Sequence, residues 1–243
     1  MQYNVLAHRG WSGVAPENTM AAFRLAVSDP TVDAIECDIQ LTKDGQIVVM
    51  HDFTLERTST GKGLVKNYTY EELLQFDFGS WFSEEFKNER ISLLKDLLQL
   101  VEGKKRLVIE IKTTANLYPD IAEKLLEAID GYPKETLMIE SFDHFLMKKI
   151  KEMDPELCTG LILHDDVTLL SEQVKYTQSN FVSIFFGNIT QKLVDDFAAN
   201  DIEIILWTLN HEWQYDYIKQ FKGSFYIASD HPGLAMKQMA LNC

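Results

Sequence analysis

Residues 34–52 read Ala34-Ile35-Glu36-Cys37-Asp38-Ile39-Gln40-Leu41-Thr42-Lys43-Asp44-Gly45-Gln46-Ile47-Val48-Val49-Met50-His51-Asp52. Two strand-like runs, 34–39 and 47–50, flank a connection of only seven residues, Gln40 to Gln46. A crossover between parallel strands takes roughly a dozen residues or more, so this connection is too short to be one. Asp44-Gly45 is a hairpin turn signal. The second run is therefore a return strand, antiparallel to an extension of the first.

Outward from this hairpin, short apolar runs alternate with amphipathic stretches. The remaining runs lie at 3–7, 107–111, 137–139, 160–163, 181–185, 204–207 and 225–228. Helical periodicity occupies 19–28, 92–102, 118–129, 143–153, 190–199 and 211–221, and less regularly 167–177. Such alternation signals βα units around a parallel sheet. Nine runs are one too many for a closed eight-stranded barrel, and setting aside 47–50 leaves eight. The 243 residues are close to the ~250 usual for that barrel. The rival, a doubly wound open sheet, lacks its glycine-rich loop after the first run. The expectation is an α/β chain, a (β/α)8 TIM barrel forming one domain over residues 1–243. Residues 53–90 fit no βα unit. Turn formers (Thr58-Ser59-Thr60-Gly61-Lys62-Gly63) precede aromatics (Phe76, Phe78, Trp81, Phe82, Phe86), which predicts a small ordered cap inserted after the hairpin.

Lys and Arg number 23 against 37 Asp and Glu, a net charge of −14. That balance argues against nucleic acid and against stable association with anionic membranes, while leaving room for a local basic pocket that takes phosphate. No apolar run approaches the ~18 residues of a membrane span. The first residues lack the basic and apolar regions of a targeting segment. Cys37, Cys158 and Cys243 are odd in number and without CxxC spacing. They read as free thiols in a reducing compartment, so the expected location is cytoplasmic.

In such a barrel the reactive groups sit at the C-terminal ends of strands. Those ends carry His8-Arg9-Gly10, Glu36-Cys37-Asp38, His51-Asp52 and Glu110-Ile111-Lys112. Positions i and i+2 of a strand share a face, so Glu36 and Asp38 point one way while Ile35, Cys37 and Ile39 point the other. The apolar set should meet the helices, sending the carboxylates into the barrel mouth, where Glu110 joins them. Three carboxylates without a thiolate suit a hard divalent cation, Mg²⁺ or Ca²⁺. Spacing alone leaves open a plainer reading, rim charges paired with Arg9 and Lys112. The hairpin brings His51 back opposite Asp38, and His8 arrives from the first strand; two imidazoles there can serve as general acid and base. Arg9 and Lys112 either contact a phosphoryl oxygen or neutralise the acids. Pro16-Glu17-Asn18-Thr19 precedes a helix with Asn18 or Thr19 as its N-cap.

Together these residues resemble the glycerophosphodiester phosphodiesterase family. Further matches are Leu55-Glu56-Arg57-Thr58, Ser141-Phe142-Asp143, Trp207-Thr208-Leu209-Asn210 and Ser229-Asp230-His231-Pro232, in order along nearly the whole chain. The resemblance implies a (β/α)8 barrel with a small insertion after His51-Asp52. It implies Glu36, Asp38 and Glu110 as ligands of Ca²⁺ or Mg²⁺, and His8 and His51 as an acid–base pair. Arg9 and Lys112 match its phosphate-contacting positions. The implied reaction is hydrolysis of a small-molecule glycerophosphodiester to glycerol 3-phosphate and an alcohol. Related phospholipase or lysophospholipase D-type chemistry and a non-catalytic phosphodiester-binding barrel are the alternatives. The chain departs from the family in lacking the proline common before the helix at 92–102. Glu140 is an additional acid near the mouth. Asp230 is read as structural, and Trp207 either packs on substrate or belongs to the barrel core. His144, His164, His211 and His231 join no constellation.

Overall fold

The first half of the chain, in the computed structural model, contains β1 (Gln2–Ala7), α1 (Met20–Ser28), β2 (Ala34–Leu41), β3 (Ile47–Val49), α2 (Tyr70–Leu73), β4 (Ser92–Leu93), α3 (Leu94–Val101), β5 (Arg106–Ile111) and α4 (Ile121–Ala128). The second half continues with β6 (Leu137–Ser141), α5 (His144–Met153), β7 (Cys158–Leu163), α6 (Leu170–Thr177), β8 (Phe181–Phe185), α7 (Gln191–Ala198), β9 (Glu203–Trp207), α8 (Glu212–Ile218), β10 (Ser224–Ser229) and α9 (Pro232–Ala240). The structure describes residues 2–114 and 117–240, so Cys243 lies outside the described residues.

Eight parallel strands close on themselves: β1 pairs with β2 on one side and with β10 on the other. The hairpin leaves this cylinder. β3 runs antiparallel to β2, with Ile39 opposite Val49 and Leu41 opposite Ile47. Its turn needs Gly45, whose φ of 76° favours a residue without Cβ. In detail the register differs from the expected one: the Met50 amide donates to the Asp38 carbonyl at 2.8 Å, so Met50 is the direct partner and His51 follows it. Two-residue β4 then pairs with β3, which moves the start of the next helix from 92 to Leu94. The helix α9 was not foreseen; it begins at Pro232, a residue whose fixed φ and missing N–H suit the first helical turn.

Strand alternation sorts the side chains into two cores. Ile35, Cys37, Ile39, Ile109 and Ile111 face the helices and join the main apolar layer. Leu6, Ala34, Val108, Met138, Phe181, Ile205, Tyr226 and Ala228 face inward and fill the barrel. Two residues further along several of those strands the inward positions turn polar, to His8, Glu36, Glu110, Glu140 and Ser183. The barrel is therefore plugged below and polar above, as the period of two requires.

Residues 53–90 build a satellite core. Val48, Met50, Leu55, Val65, Leu73, Phe78, Ile91 and Leu93 pack together, with Tyr68, Tyr70 and Phe76 against them. The extra strands β3 and β4 thus serve as its floor. Phe78 is buried within it, while Trp81 stays 39% exposed. Among the described residues Cys37 and Cys158 are free thiols, and no helix is long and apolar enough to cross a membrane.

Candidate active site

A cavity of ≈ 140 Å³ sits at the C-terminal ends of the barrel strands. His8, Arg9, Glu36, His51, Glu110, Lys112 and Trp207 line it. Asp38 lies just behind the wall, 1% exposed, beneath the cationic groups of Arg9 and Lys112. All eight residues singled out in the sequence are therefore gathered at one place.

The three carboxylates come from adjacent parallel strands. Asp38 and Glu110 are register partners on β2 and β5, and Glu36 lies one inward position below Asp38. One oxygen from each can be chosen so that all lie within 4.8 Å of one another. Lys112 Nζ stands 3.1 Å from Asp38 Oδ1 and 2.5 Å from Glu110 Oε1. Lys112 thus meets one oxygen each of Asp38 and Glu110, while Glu36 Oε1 is buried with no partner among the described residues. One ammonium shared by two buried carboxyls leaves the third oxygen unmet, and a buried polar oxygen without a partner costs about 1–3 kcal/mol. A hard cation with oxygen preference meets all three at once, so the donor set fits Mg²⁺ or Ca²⁺.

Without a cation the acids settle unequally. Burial works against the Asp38 charge, but Lys112 and Arg9 outweigh it and hold its carboxyl well below the usual range. Burial, then the neighbouring Asp38 charge, pushes Glu36 well up. Burial raises Glu110 to about 7, against the pull of Lys112. Arg9 and Lys112 also resist burial: the surrounding acids raise both above their ordinary values and keep them charged.

Asn18 completes the floor. Its φ of 58° places it in the left-handed region, where its amide donates to Asp38 Oδ2 at 2.7 Å and accepts from the Asp38 N–H at 3.2 Å. Thr19, next in line, is the N-cap of α1 and accepts from Ala22 N. The alternative between Asn18 and Thr19 as cap is thus resolved by giving each a separate task. Gly10, at φ 77° and with Ala22 C only 2.8 Å from any added Cβ, lets the chain turn sharply after Arg9.

Each histidine has its own carboxylate. His8 Nδ1 lies 2.6 Å from Asp230 Oδ1, and His51 Nδ1 lies 2.6 Å from Asp52 Oδ1. Asp52 is held down to about 2, mainly by the Arg57 hydrogen bonds and despite burial. Burial opposes the Asp230 charge, but the His8 hydrogen bond and charge outweigh it. An ionised carboxylate only accepts, so in both pairs the imidazole Nδ1 donates and Nε2 is left for the cavity. Burial lowers the His51 pKa, with Asp38 pulling the other way, so His51 favours its neutral form.

Several contributors went unassigned in the sequence. Asp230, read as structural, also accepts from Ser12 Oγ at 3.0 Å and Asn210 Nδ2 at 2.6 Å. Arg57 grips both Asp52 (2.7 and 2.9 Å) and Glu17 (2.7 and 2.8 Å). Glu17 in turn accepts from Arg9 at 2.8 Å. The chain of contacts from His51 through Asp52, Arg57 and Glu17 to Arg9 ties the insertion to the barrel mouth. Glu17 and Arg57 stood in recognisable motifs, but the partnership itself joins residues 40 apart. Trp207 packs against the inner barrel layer, as the core reading expected, and also walls the cavity, with Phe142 edge-on at 6.2 Å. His164 sits beside that wall, 5.8 Å from Trp207.

Comparison with known proteins agrees with this geometry. The model of the glycerophosphoryl diester phosphodiesterase family matches residues 8–234. The chain is similar to a glycerophosphodiester phosphodiesterase of Caldanaerobacter subterraneus subsp. tengcongensis, 40% identical over 214 residues, covering 87% of this chain and 88% of that protein. It is also 34% identical over 241 residues to a glycerophosphodiester phosphodiesterase of Bacillus altitudinis, covering 96% of each. Among solved structures, an Oleispira antarctica phosphodiesterase in complex with the product sn-glycerol-3-phosphate superposes with a TM-score of 0.90 at 28% identity, over 98% of this chain and 96% of that one. With the barrel, the acidic trio and the motif order all in agreement, the chain belongs to the glycerophosphoryl diester phosphodiesterase family.

Proposed function

We propose that this chain hydrolyses glycerophosphodiesters to glycerol 3-phosphate and an alcohol, with Mg²⁺ or Ca²⁺ held by Glu36, Asp38 and Glu110 and with His8 and His51 as the acid–base pair. The observation that carries the reading is two imidazoles, each oriented by its own carboxylate, on one cavity shared with three acids and two fixed cations. Charge supports it. With a divalent cation bound and all three acids ionised, the trio, the cation, Arg9 and Lys112 sum to one positive charge, which a phosphodiester monoanion neutralises.

When bound, the cation lowers the pKa of a hydroxyl that it contacts and offsets charge growing on the phosphoryl oxygens. Arg9 and Lys112 hold those oxygens in place. In the first step the glycerol 2-hydroxyl oxygen bonds to phosphorus, and the bond from phosphorus to the leaving alcohol breaks. One histidine takes the hydroxyl proton at Nε2 and the other delivers a proton to the departing alkoxide. The histidines then exchange roles as water opens the cyclic phosphate. The free thiols of Cys37 and Cys158 support a cytoplasmic location. A small soluble diester is the proposed partner, with no nucleic acid and no stable membrane association.

One observation favours a lysophospholipid as a second reading: Phe142, at the cavity rim, is 49% exposed and nearby Phe145 is 83% exposed. Product identification decides between these readings. Incubated with glycerophosphocholine and cation, the protein should yield glycerol 3-phosphate and choline. Choline phosphate as product would contradict the proposed side of cleavage, and turnover of lysophosphatidylcholine alone would favour the second reading.

A further inference from the structure

His51 sits where the sheet has run out. The β2–β3 ladder ends at the Ile39–Val49 pair and the Met50 amide. His51 and Asp52 follow outside any strand, so their carbonyls and that of Met50 need partners from elsewhere. All three meet one side chain. Gln40 Nε2 donates to the carbonyls of Met50 at 2.8 Å, His51 at 3.3 Å and Asp52 at 2.7 Å. Its Oε1 accepts from the Tyr118 hydroxyl at 3.0 Å. Carbonyls only accept, so the nitrogen is the end that faces them and the orientation of the amide is determined. Gln40 and Tyr118 are both buried, which screens these bonds from solvent.

The strand explains the placement. Gln40 is two residues beyond Asp38, which is two beyond Glu36, so the period of two puts all three on one face of β2. By Gln40 the strand has run alongside its own return strand, opposite Val48. An apolar side chain would fill this buried position but would leave three carbonyls and a hydroxyl unmet. The amide also spans the mouth, because Tyr118 lies on the connection from β5, the strand of Glu110, to α4. Asp52 orients the His51 ring at Nδ1, and Gln40 fixes the backbone that carries both residues. Resting on the reading of His51 as one of the acid–base pair, we infer that Gln40 is a positioning residue whose amide sets the place of His51 by clamping the three carbonyls around it. Gln40 does not line the cavity, so it acts through His51 rather than on substrate.

The test compares wild type with Q40M, which keeps the length of the side chain and removes its N–H groups. Misplacing a reacting group by about 1 Å costs on the order of 100-fold in rate, so Q40M should lose about 10- to 100-fold in kcat on glycerophosphocholine at saturating cation, with KM within about threefold. The loss should vanish without His51: in single-turnover measurements Q40M/H51A should stay within about threefold of H51A. A substitution that only loosens the fold would slow both backgrounds alike. A second arm needs no turnover. The Nδ1 protons of His8 and His51, each held by a carboxylate, should give separate downfield proton resonances in wild type, assigned by their loss in H8A and H51A. Q40M should lose or broaden the His51 line and keep the His8 line. If Q40M fails to fold, Q40E takes its place; its buried acid is protonated and restores one of the three donations, so the same effects should be smaller. Should wild type release no product, the hydrolytic reading fails while the resonances still judge Gln40. A folded Q40M with wild-type kcat, equal losses with and without His51, or an unchanged His51 line overturns the inference.

Discussion

Replacing Asp230 with Asn tests whether His8 depends on a group contributed by the last barrel strand. The substitution preserves size and removes a charge. In the native site Oδ1 accepts from His8 Nδ1 and Ser12 Oγ, and Oδ2 accepts from Asn210 Nδ2. An amide cannot replace that set. If its nitrogen takes the Oδ1 place, it donates to His8 Nδ1 and forces the proton onto Nε2, the wrong tautomer for a base facing the cavity. If its nitrogen takes the Oδ2 place, it opposes the Asn210 donor. A hydrogen bond to an ionised partner contributes about 1.5–3 kcal/mol, and about 1.4 kcal/mol is tenfold in rate. The Asp230→Asn protein should therefore lose about 10- to 100-fold in kcat on glycerophosphocholine at saturating cation. KM should change little, because Asp230 does not line the cavity. Steady-state kinetics with a thermal melt as folding control give the answer. A folded variant with kcat within about threefold of wild type would falsify the claim that Asp230 positions His8.

The histidines should act as a unit: His8→Ala and His51→Ala should each remove most turnover, and the double variant should be little worse than either alone. Additive losses in single-turnover measurements would count against a shared proton relay. Cation binding should be visible without catalysis. Mg²⁺ or Ca²⁺ at about a hundred times its Kd should add about 2.7 kcal/mol of stability, and Asp38→Asn should abolish the rise in Tm; an equal rise in that variant would place the ion elsewhere. Asp77, in the insertion, receives N–H groups of Gly79 at 2.8 Å, Ser80 at 2.7 Å and Asn88 at 2.5 Å. Burial opposes its charge, but these bonds outweigh it and hold its carboxyl below the usual range. Its contribution is thus complete above about pH 4 and drains as pH falls toward the folded value. Asp77→Ala should cost about 1–2 kcal/mol at pH 7 and less at pH 3; a cost that grows toward low pH would reverse the sign of this reasoning.

What the sequence disclosed and what it concealed divide along physical lines. The barrel was legible because each βα unit is local, and because Asp44-Gly45 and a short connection exposed the hairpin. The carboxylate face of β2 was legible from a period of two. Two-residue β4 and four-residue α2 carry too little periodicity to stand out; tertiary packing onto the satellite core makes them. The His8–Asp230 pair was hidden because 222 residues separate its members. Only closure of β10 on β1 brings Ser229 and Ala7 into register and sets the next residues side by side. The Arg57–Glu17 link was hidden for a similar reason, since nothing local to either residue names its partner.

The measurement that bears most directly on the central claim is glycerol 3-phosphate release by metal-stripped protein, with and without added Mg²⁺ or Ca²⁺, for wild type and His51→Ala. Release that is absent without cation, restored by it in wild type, and still missing in the folded His51→Ala protein is the predicted result. Undiminished release after metal removal, or turnover by His51→Ala at the wild-type rate, would contradict the account.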